Sequence, residues 1–224
     1  MSNKRITIFY DVVSPFSWFG FELLRRYQSV WNGVDVALQP FFLGGVMGAS
    51  GNKPPATNPY KGAQMLKEIP LFGKMYDIDI GNPANFPEKS LHAMRILQAL
   101  KLQGSDKLTA VSLAFWKLYW HDKKSIESKD DLQAYLAPIV GDAAATRLVQ
   151  HDSQTSEVKQ ALADATKEAV DVHGAFGAPW FVVENGNETM TFFGSDRMEA
   201  IAFFLGEKYL GPCPPGYKRE SSKL

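Results

Sequence analysis

Three short clusters of side chains could do chemistry, and they lie far apart in the chain. The first is Ser14-Pro15-Phe16-Ser17, which follows an apolar run ending at Tyr10-Asp11. Serine before proline is a strong helix start: the serine caps, and proline occupies the first helical position, where its missing N–H costs nothing. A hydroxyl there can donate to a bound anion, and the unpaired amides and dipole of the helix terminus favour the same charge. It also serves as a plain N-cap, and the dipeptide alone does not separate the two uses. The second cluster is Gly177-Ala178-Pro179-Trp180. A cis bond before Pro179 would present the backbone N–H and C=O of Ala178 to a peptide-like ligand. A trans proline opening an edge strand is the plainer alternative. The third is Gly194-Ser195-Asp196-Arg197 at the head of the last helix. Ser195 can offer a donor to a carboxylate and Asp196 can pair with an ammonium, or the two simply cap the helix.

Other chemistries are disfavoured by what the sequence contains. Its single cysteine, Cys213, rules out an intrachain disulfide, a zinc ribbon and dithiol redox work by the protein itself. The four histidines (His92, His121, His151, His173) lack ligand spacing, so no metal is expected. No Walker A lysine-serine pair and no dinucleotide fingerprint occurs. Lys plus Arg and Asp plus Glu both number 24, leaving no strong field toward nucleic acid or an anionic membrane. No apolar run is long enough to span a bilayer. The first twenty residues read as a strand of the mature fold rather than a signal or transit peptide, because Asp11, Ser14 and Pro15 interrupt the apolar stretch.

The elements that must position these clusters follow from periodicity. Ile6 to Tyr10 reads as a buried strand, Phe16 to Trp31 as a helix stopped by Asn32-Gly33, and Val34 to Leu38 as a second strand. This βαβ opening predicts a parallel pair. Gly44 to Gly62, rich in Gly, Pro and Asn, reads as a long loop. From Gly62 to Val172 the pattern is helical throughout, with stripes such as Leu91, Met94, Leu97 and Leu113, Trp116, Trp120 that read as helix-packing core. Trp180 to Val183 and Met190 to Phe193 flank Asn185-Gly186 as a hairpin, and a helix from Gly194 to Leu210 follows. A βαβ half and a ββα half, split by a helical insert of about 110 residues, make an α/β thioredoxin-like fold. The expected domains are 1–61 with 173–224, and 62–172.

In thioredoxin folds the reactive group sits at the N-terminus of the first helix, usually as Cys-x-x-Cys with an acidified first thiol. Here Ser-x-x-Ser stands in that place. Serine exchanges no disulfides, but it can hydrogen-bond a thiolate carried in by a substrate. Lowering a thiol pKa from near 8.5 to near 6.5 takes about 2.7 kcal/mol, within reach of one charge-assisted hydrogen bond plus a helix terminus. Pro179 falls where these folds carry a cis-proline facing that terminus, so cis is expected.

Five segments carry a more specific likeness: FYDVVSPFSWFGFELL at the start, SGNKPP at 50–55, SLHAMRIL at 90–97, HGAFGAPWFV at 173–182 and FFGSDRMEAIAFFLGEKYLGP at 192–212. In register across nearly the whole chain, they resemble the kappa-class glutathione transferases, which group with bacterial disulfide oxidoreductases and 2-hydroxychromene-2-carboxylate isomerases. The resemblance implies glutathione as co-substrate, with Ser14 hydrogen-bonded to its sulfur. It places Pro15 and Phe16 at the terminus that contacts the tripeptide, and Ala178 with Pro179 against the cysteinyl unit. Ser195 and Asp196 would hold the γ-glutamyl end, while Asn52 and Lys61 would lie in the loop near the glycyl carboxylate. Phe16 stands where the family often has tyrosine, and Ala178 is a small residue before the proline. The implied activity is conjugation of glutathione to a small hydrophobic electrophile, or peroxide reduction. The alternatives are isomerisation of the 2-hydroxychromene-2-carboxylate type and a non-catalytic binding module. Met47, Phe72 and Met75 are candidates for the second-substrate pocket, and a homodimer is implied.

The chain ends Ser222-Lys223-Leu224, the peroxisomal address read by an import receptor. A given terminal tripeptide arises by chance on the order of once in 8,000 chains, so the placement is informative. The structured chain is expected to end near Gly211, leaving a Pro-rich charged tail.

Overall fold

The computed structural model describes residues 4–217. A four-stranded sheet, in the order β2-β1-β3-β4, forms its centre. Strand β1 (Lys4–Tyr10) runs parallel to β2 (Val34–Pro40) and antiparallel to β3 (Trp180–Asn185), which pairs antiparallel with the edge strand β4 (Glu188–Phe193). The central strand is apolar on both faces: Ile6, Ile8, Phe9 and Tyr10 are all buried. Ile8 lies between Leu38 and Phe181 in the register. The hairpin pairs Asn185 with Glu188, so its two loop residues are Gly186 and Asn187, and Gly186 supplies the positive φ of 64°.

Helix α1 (Pro15–Tyr27) crosses from β1 to β2, and the chain between β2 and β3 is largely helical. That segment holds α2 (Leu43–Ser50), α3 (Pro59–Tyr76), α4 (Leu91–Leu102), α5 (Leu108–Trp116) with a π-helical turn to His121, α6 (Lys129–Val140), α7 (Asp142–Gln150) and α8 (Ser156–Asp171). A short 3₁₀ turn, Ser195–Arg197, leads into α9 (Met198–Leu205). No described helix is long and apolar enough to cross a membrane.

Four expectations need correction. The stretch 44–62 is no open loop: α2 occupies its first third, and α3 starts at Pro59 under an Asn58 cap. Gly44 and Gly45 hid that helix from a propensity reading. A Cβ on Gly45 would lie 3.1 Å from Thr166 Cγ2 and 3.3 Å from the Phe42 ring, so the missing side chain there lets α2 close on α8. The 62–172 region is not helical throughout, because residues 77–90 are extended and turned, with cis Phe86–Pro87. Helices α1 and α9 stop earlier than their apolar periodicity suggests. Trp31 belongs to a turn, its Nε1 donating to Lys208 O at 3.0 Å, and Gly206 closes α9 with φ +68°.

The ordered chain also continues past Gly211. Tyr27 Oη accepts from Leu210 N and donates to Gly211 O, both at 2.7 Å. Arg26 donates to Pro212 O at 2.9 Å and stacks over Tyr217 at 4.0 Å, while Tyr217 Oη donates to Asp77 Oδ2 at 3.3 Å. Residues 210–217 therefore strap α1 to the end of α3. Ser222, Lys223 and Leu224 lie outside the described residues.

Candidate active site

Ser14 caps α1 from an extended backbone (φ −92°, ψ 119°) and is 5% exposed. Its Oγ accepts from Ser17 N at 3.1 Å and donates to Ala178 O at 3.2 Å. The hydroxyl is thus both the expected cap and a proton donor aimed at the Ala178–Pro179 segment. The Ala178–Pro179 bond is cis, as its topological position suggests. Ala178 is 8% exposed, and its N–H has no hydrogen-bond acceptor among the described residues. A nearly buried, unpaired N–H is the kind of group a ligand carbonyl satisfies.

The same segment reaches the third cluster. Pro179 O accepts from Gly194 N at 3.1 Å, which sets the start of the 3₁₀ turn bearing Ser195 and Asp196. Gly194 has φ +97°, a backbone conformation that favours glycine, and a Cβ there would lie 2.5 Å from Asp196 Oδ1. Ser195 is buried; Asp196 is exposed and paired with the Arg197 guanidinium. The structure thus brings Ser14, Pro15, Ala178, Pro179, Ser195 and Asp196 into one connected cluster. Gly20 fits α1 against it, where a Cβ would meet Phe181 at 2.9 Å and Pro179 at 3.2 Å.

Phe16 turns onto an aromatic wall instead of a polar contact. Its ring lies 6.1 Å from Phe19 and 6.3 Å from Phe72, and Phe72 stacks on Tyr76 at 5.8 Å. The Tyr76 hydroxyl has its pKa raised by burial and by the nearby charge of Asp196. The wall formed by α3 therefore runs from the start of α1 to Tyr76. Phe72 is part of it, whereas Met75 is 48% exposed.

Asn52 is tied to the cluster from the side, its Nδ2 donating to Phe176 O at 2.7 Å. Lys61 is not in a loop. It sits exposed in the first turn of α3, its N–H held by Asn58 Oδ1 at 3.2 Å, and among the described residues its side chain makes no hydrogen bond or ion pair to the cluster. The expected domain boundary between 61 and 62 falls inside that first turn.

Sequence reasoning missed two supports beneath Ser14. Asp11, fully buried, accepts from Val13 N (3.0 Å), Leu43 N (2.9 Å) and Ser90 Oγ (2.8 Å). One carboxylate thus ties the loop before Ser14 to the starts of α2 and α4. Burial pushes its pKa up to about 6, against the pull of those three hydrogen bonds. The second support is an indole pair: Trp116 Nε1 donates to Ser14 O and Trp120 Nε1 to Val12 O, each at 3.2 Å. Only the second left a signal, in two tryptophans at i, i+4 whose N–H groups need acceptors when buried. No gathering of three or more His, Cys, Asp or Glu residues suited to a metal ion occurs among the described residues.

The fold and the site together define a thioredoxin-fold protein that carries a serine hydroxyl at the start of its first helix. Residues 5–206 match the family model described as DSBA-like thioredoxin domain. Glutathione S-transferase kappa 1 of Rattus norvegicus is 40% identical over 216 residues, covering 94% of each chain, and that of Homo sapiens is 37% identical, covering 95% of each. The chain belongs to the kappa-class glutathione S-transferases within the DsbA-like thioredoxin family. Among solved structures, a 2-hydroxychromene-2-carboxylate isomerase superposes with a TM-score of 0.71 at 19% identity, covering 90% of this chain and 94% of that one; this likeness speaks to the fold alone.

Proposed function

We propose that this chain binds glutathione at the α1 terminus and uses Ser14 to hold its sulfur as the thiolate for attack on a small hydrophobic electrophile. The observation that carries the reading is the Ser14 hydroxyl, buried at the cap and hydrogen-bonded to the Ala178 carbonyl beside an Ala178 N–H that has no acceptor among the described residues. On binding, the Ser14 proton turns from Ala178 O to the sulfur, while Oγ keeps accepting from Ser17 N. The thiol proton leaves to solvent, the sulfur forms a bond to the electrophilic carbon, and the leaving group departs with its electron pair. Peroxide reduction at the expense of glutathione is the second activity of the same thiolate.

In this reading Ala178 and Pro179 align the cysteinyl unit, Pro15 and Phe16 line the terminus, and Ser195 and Asp196 hold the γ-glutamyl group. Asp196 then exchanges Arg197 for the ligand ammonium. Asn52 and Lys61 serve the glycyl carboxylate, Lys61 from the first turn of α3. Residues 1–61 and 173–224 supply the glutathione half, and 62–172 the electrophile's half, with Phe72 and the α3 wall nearest. The working unit is a homodimer, and sedimentation at micromolar concentration should show no stable monomer. The Ser222-Lys223-Leu224 terminus addresses the protein to the peroxisome.

The test is an assay of glutathione consumption with an aryl halide and with a hydroperoxide, in parallel with loss of 2-hydroxychromene-2-carboxylate in the presence of glutathione. Conjugation or peroxide reduction is expected. Turnover of the chromene alone would make the chain an isomerase. No heat of glutathione binding at millimolar concentration would leave only a binding module.

A further inference from the structure

Away from the Ser14 cluster, α2, α4 and α8 enclose a groove of about 310 Å³. Its walls are apolar, formed by Phe42, Leu91, Leu162 and Val170, and Gly45, Ala49 and Ala163 keep it open. Its charged lining is unbalanced: Arg95, Lys159 and Lys167 face it against Asp171 alone. None of the three cations joins an ion pair among the described residues. Arg95 Nε is, in addition, buried without a hydrogen-bond partner there. A buried guanidinium N–H left unpaired is costly, and a carboxylate is the acceptor that fits its fork.

Shape narrows the occupant further. The α8 lining runs from Lys159 to Asp171, about 18 Å along the helix. The volume corresponds to about ten water-sized groups. We propose that this groove binds a linear, medium-chain carboxylate, its acyl chain along the α8 face and its head on Arg95 with Lys159 and Lys167 alongside. The site lies among helices of the segment between β2 and β3, and it shares no residue with the Ser14 cluster. It stands whatever the reaction at Ser14 proves to be.

Octanoate, with ten non-hydrogen atoms, is the probe, titrated into the full chain and followed by backbone amide NMR and calorimetry. Expected are saturable shifts at Gly45, Ala49, Ala163 and Thr166 at submillimolar octanoate, with octan-1-ol at least tenfold weaker. Arg95→Gln should weaken octanoate at least tenfold. Because Arg95 is half-buried, two further changes on the exposed α8 surface keep the test open should that variant fail to fold. Lys159→Glu combined with Lys167→Glu should weaken octanoate at least tenfold, and Ala163→Trp should block it by filling the groove. Shifts located elsewhere, equal affinity for octan-1-ol, or wild-type affinity in the lysine pair and in Ala163→Trp would overturn the proposal.

Discussion

At Ser14 the hydroxyl proton has two rival acceptors, the Ala178 carbonyl that holds it at 3.2 Å and any anion that reaches the helix terminus. A neutral carbonyl is the weaker of the two, since hydrogen bonds to charged acceptors are roughly twice as strong. Asp11, three residues earlier, has no such freedom: three donors fix both its oxygens. Its raised pKa gives a linkage whose sign is the reverse of the usual carboxylate case. Between the unfolded value near 3.8 and the folded value of about 6, the folded state holds the proton more tightly. Stability contributed at Asp11 is therefore present at low pH and lost as pH rises through that window. Asp11→Asn removes the titration but turns an N–H₂ toward a donor, leaving Val13 N or Leu43 N unpaired. The stability of the native protein minus that of Asp11→Asn should fall by about 2 kcal/mol between pH 4.5 and pH 7. Urea midpoints at the two pH values check this, and a difference independent of pH would mean that Asp11 does not titrate in that range. Ser14 was legible because a serine-proline cap has a local signature. Asp11 was not, because its partners come from positions 43 and 90, and no local spacing reports them.

The elements divide in the same way. Strands β1 and β3 are buried runs and declare themselves through composition, and the Gly186 turn places the hairpin. Helix α2 could not be read, since its glycines count against it by propensity, while Gly45 serves a close approach to α8. Helix α5 was legible as an apolar stripe but not as a support. Its Trp116 and the following Trp120 hold two carbonyls of the loop that presents Ser14. Trp116→Phe keeps most of the packing and strips the donor from Ser14 O in a buried site. The expected loss is about 1–3 kcal/mol, read from denaturant midpoints, together with weaker glutathione binding as the loop loosens. A variant as stable as the native chain would show that the indole hydrogen bond is immaterial to the loop.

For the whole molecule, the two halves meet where Asp11, α2 and α4 converge, and the C-terminal strap closes the opposite side of α1. Arg26, Tyr27 and Asp77 hold the strap as far as Tyr217. Deleting Ser222-Lys223-Leu224 removes nothing from the strap and no residue of the site, so glutathione turnover should be unchanged while an N-terminally tagged protein moves from peroxisomes to the cytosol. Imaging of full-length and truncated forms, paired with assays of both, tests this. Peroxisomal residence of the truncated form would exclude the tripeptide as the address. The order of strands and helices in this architecture was open to a sequence reading because each half of the sheet is local in the chain. The strap was not, because Pro212 to Tyr217 reads as a solvent-facing tail until Arg26 and Asp77 are placed beside it.

Whether Ser14 holds the glutathione sulfur as the thiolate is read from the pH titration of thiolate absorbance in the complex, for the native protein and for Ser14→Ala. One hydrogen bond to a charged group contributes about 1.5–3 kcal/mol. Against a free thiol near 8.5, the native complex should titrate near 6.5 and the Ser14→Ala complex at about 8. Turnover at neutral pH should fall about tenfold or more with little change in glutathione affinity. Superposable titration curves for the two proteins would contradict the assignment and remove Ser14 from the chemistry.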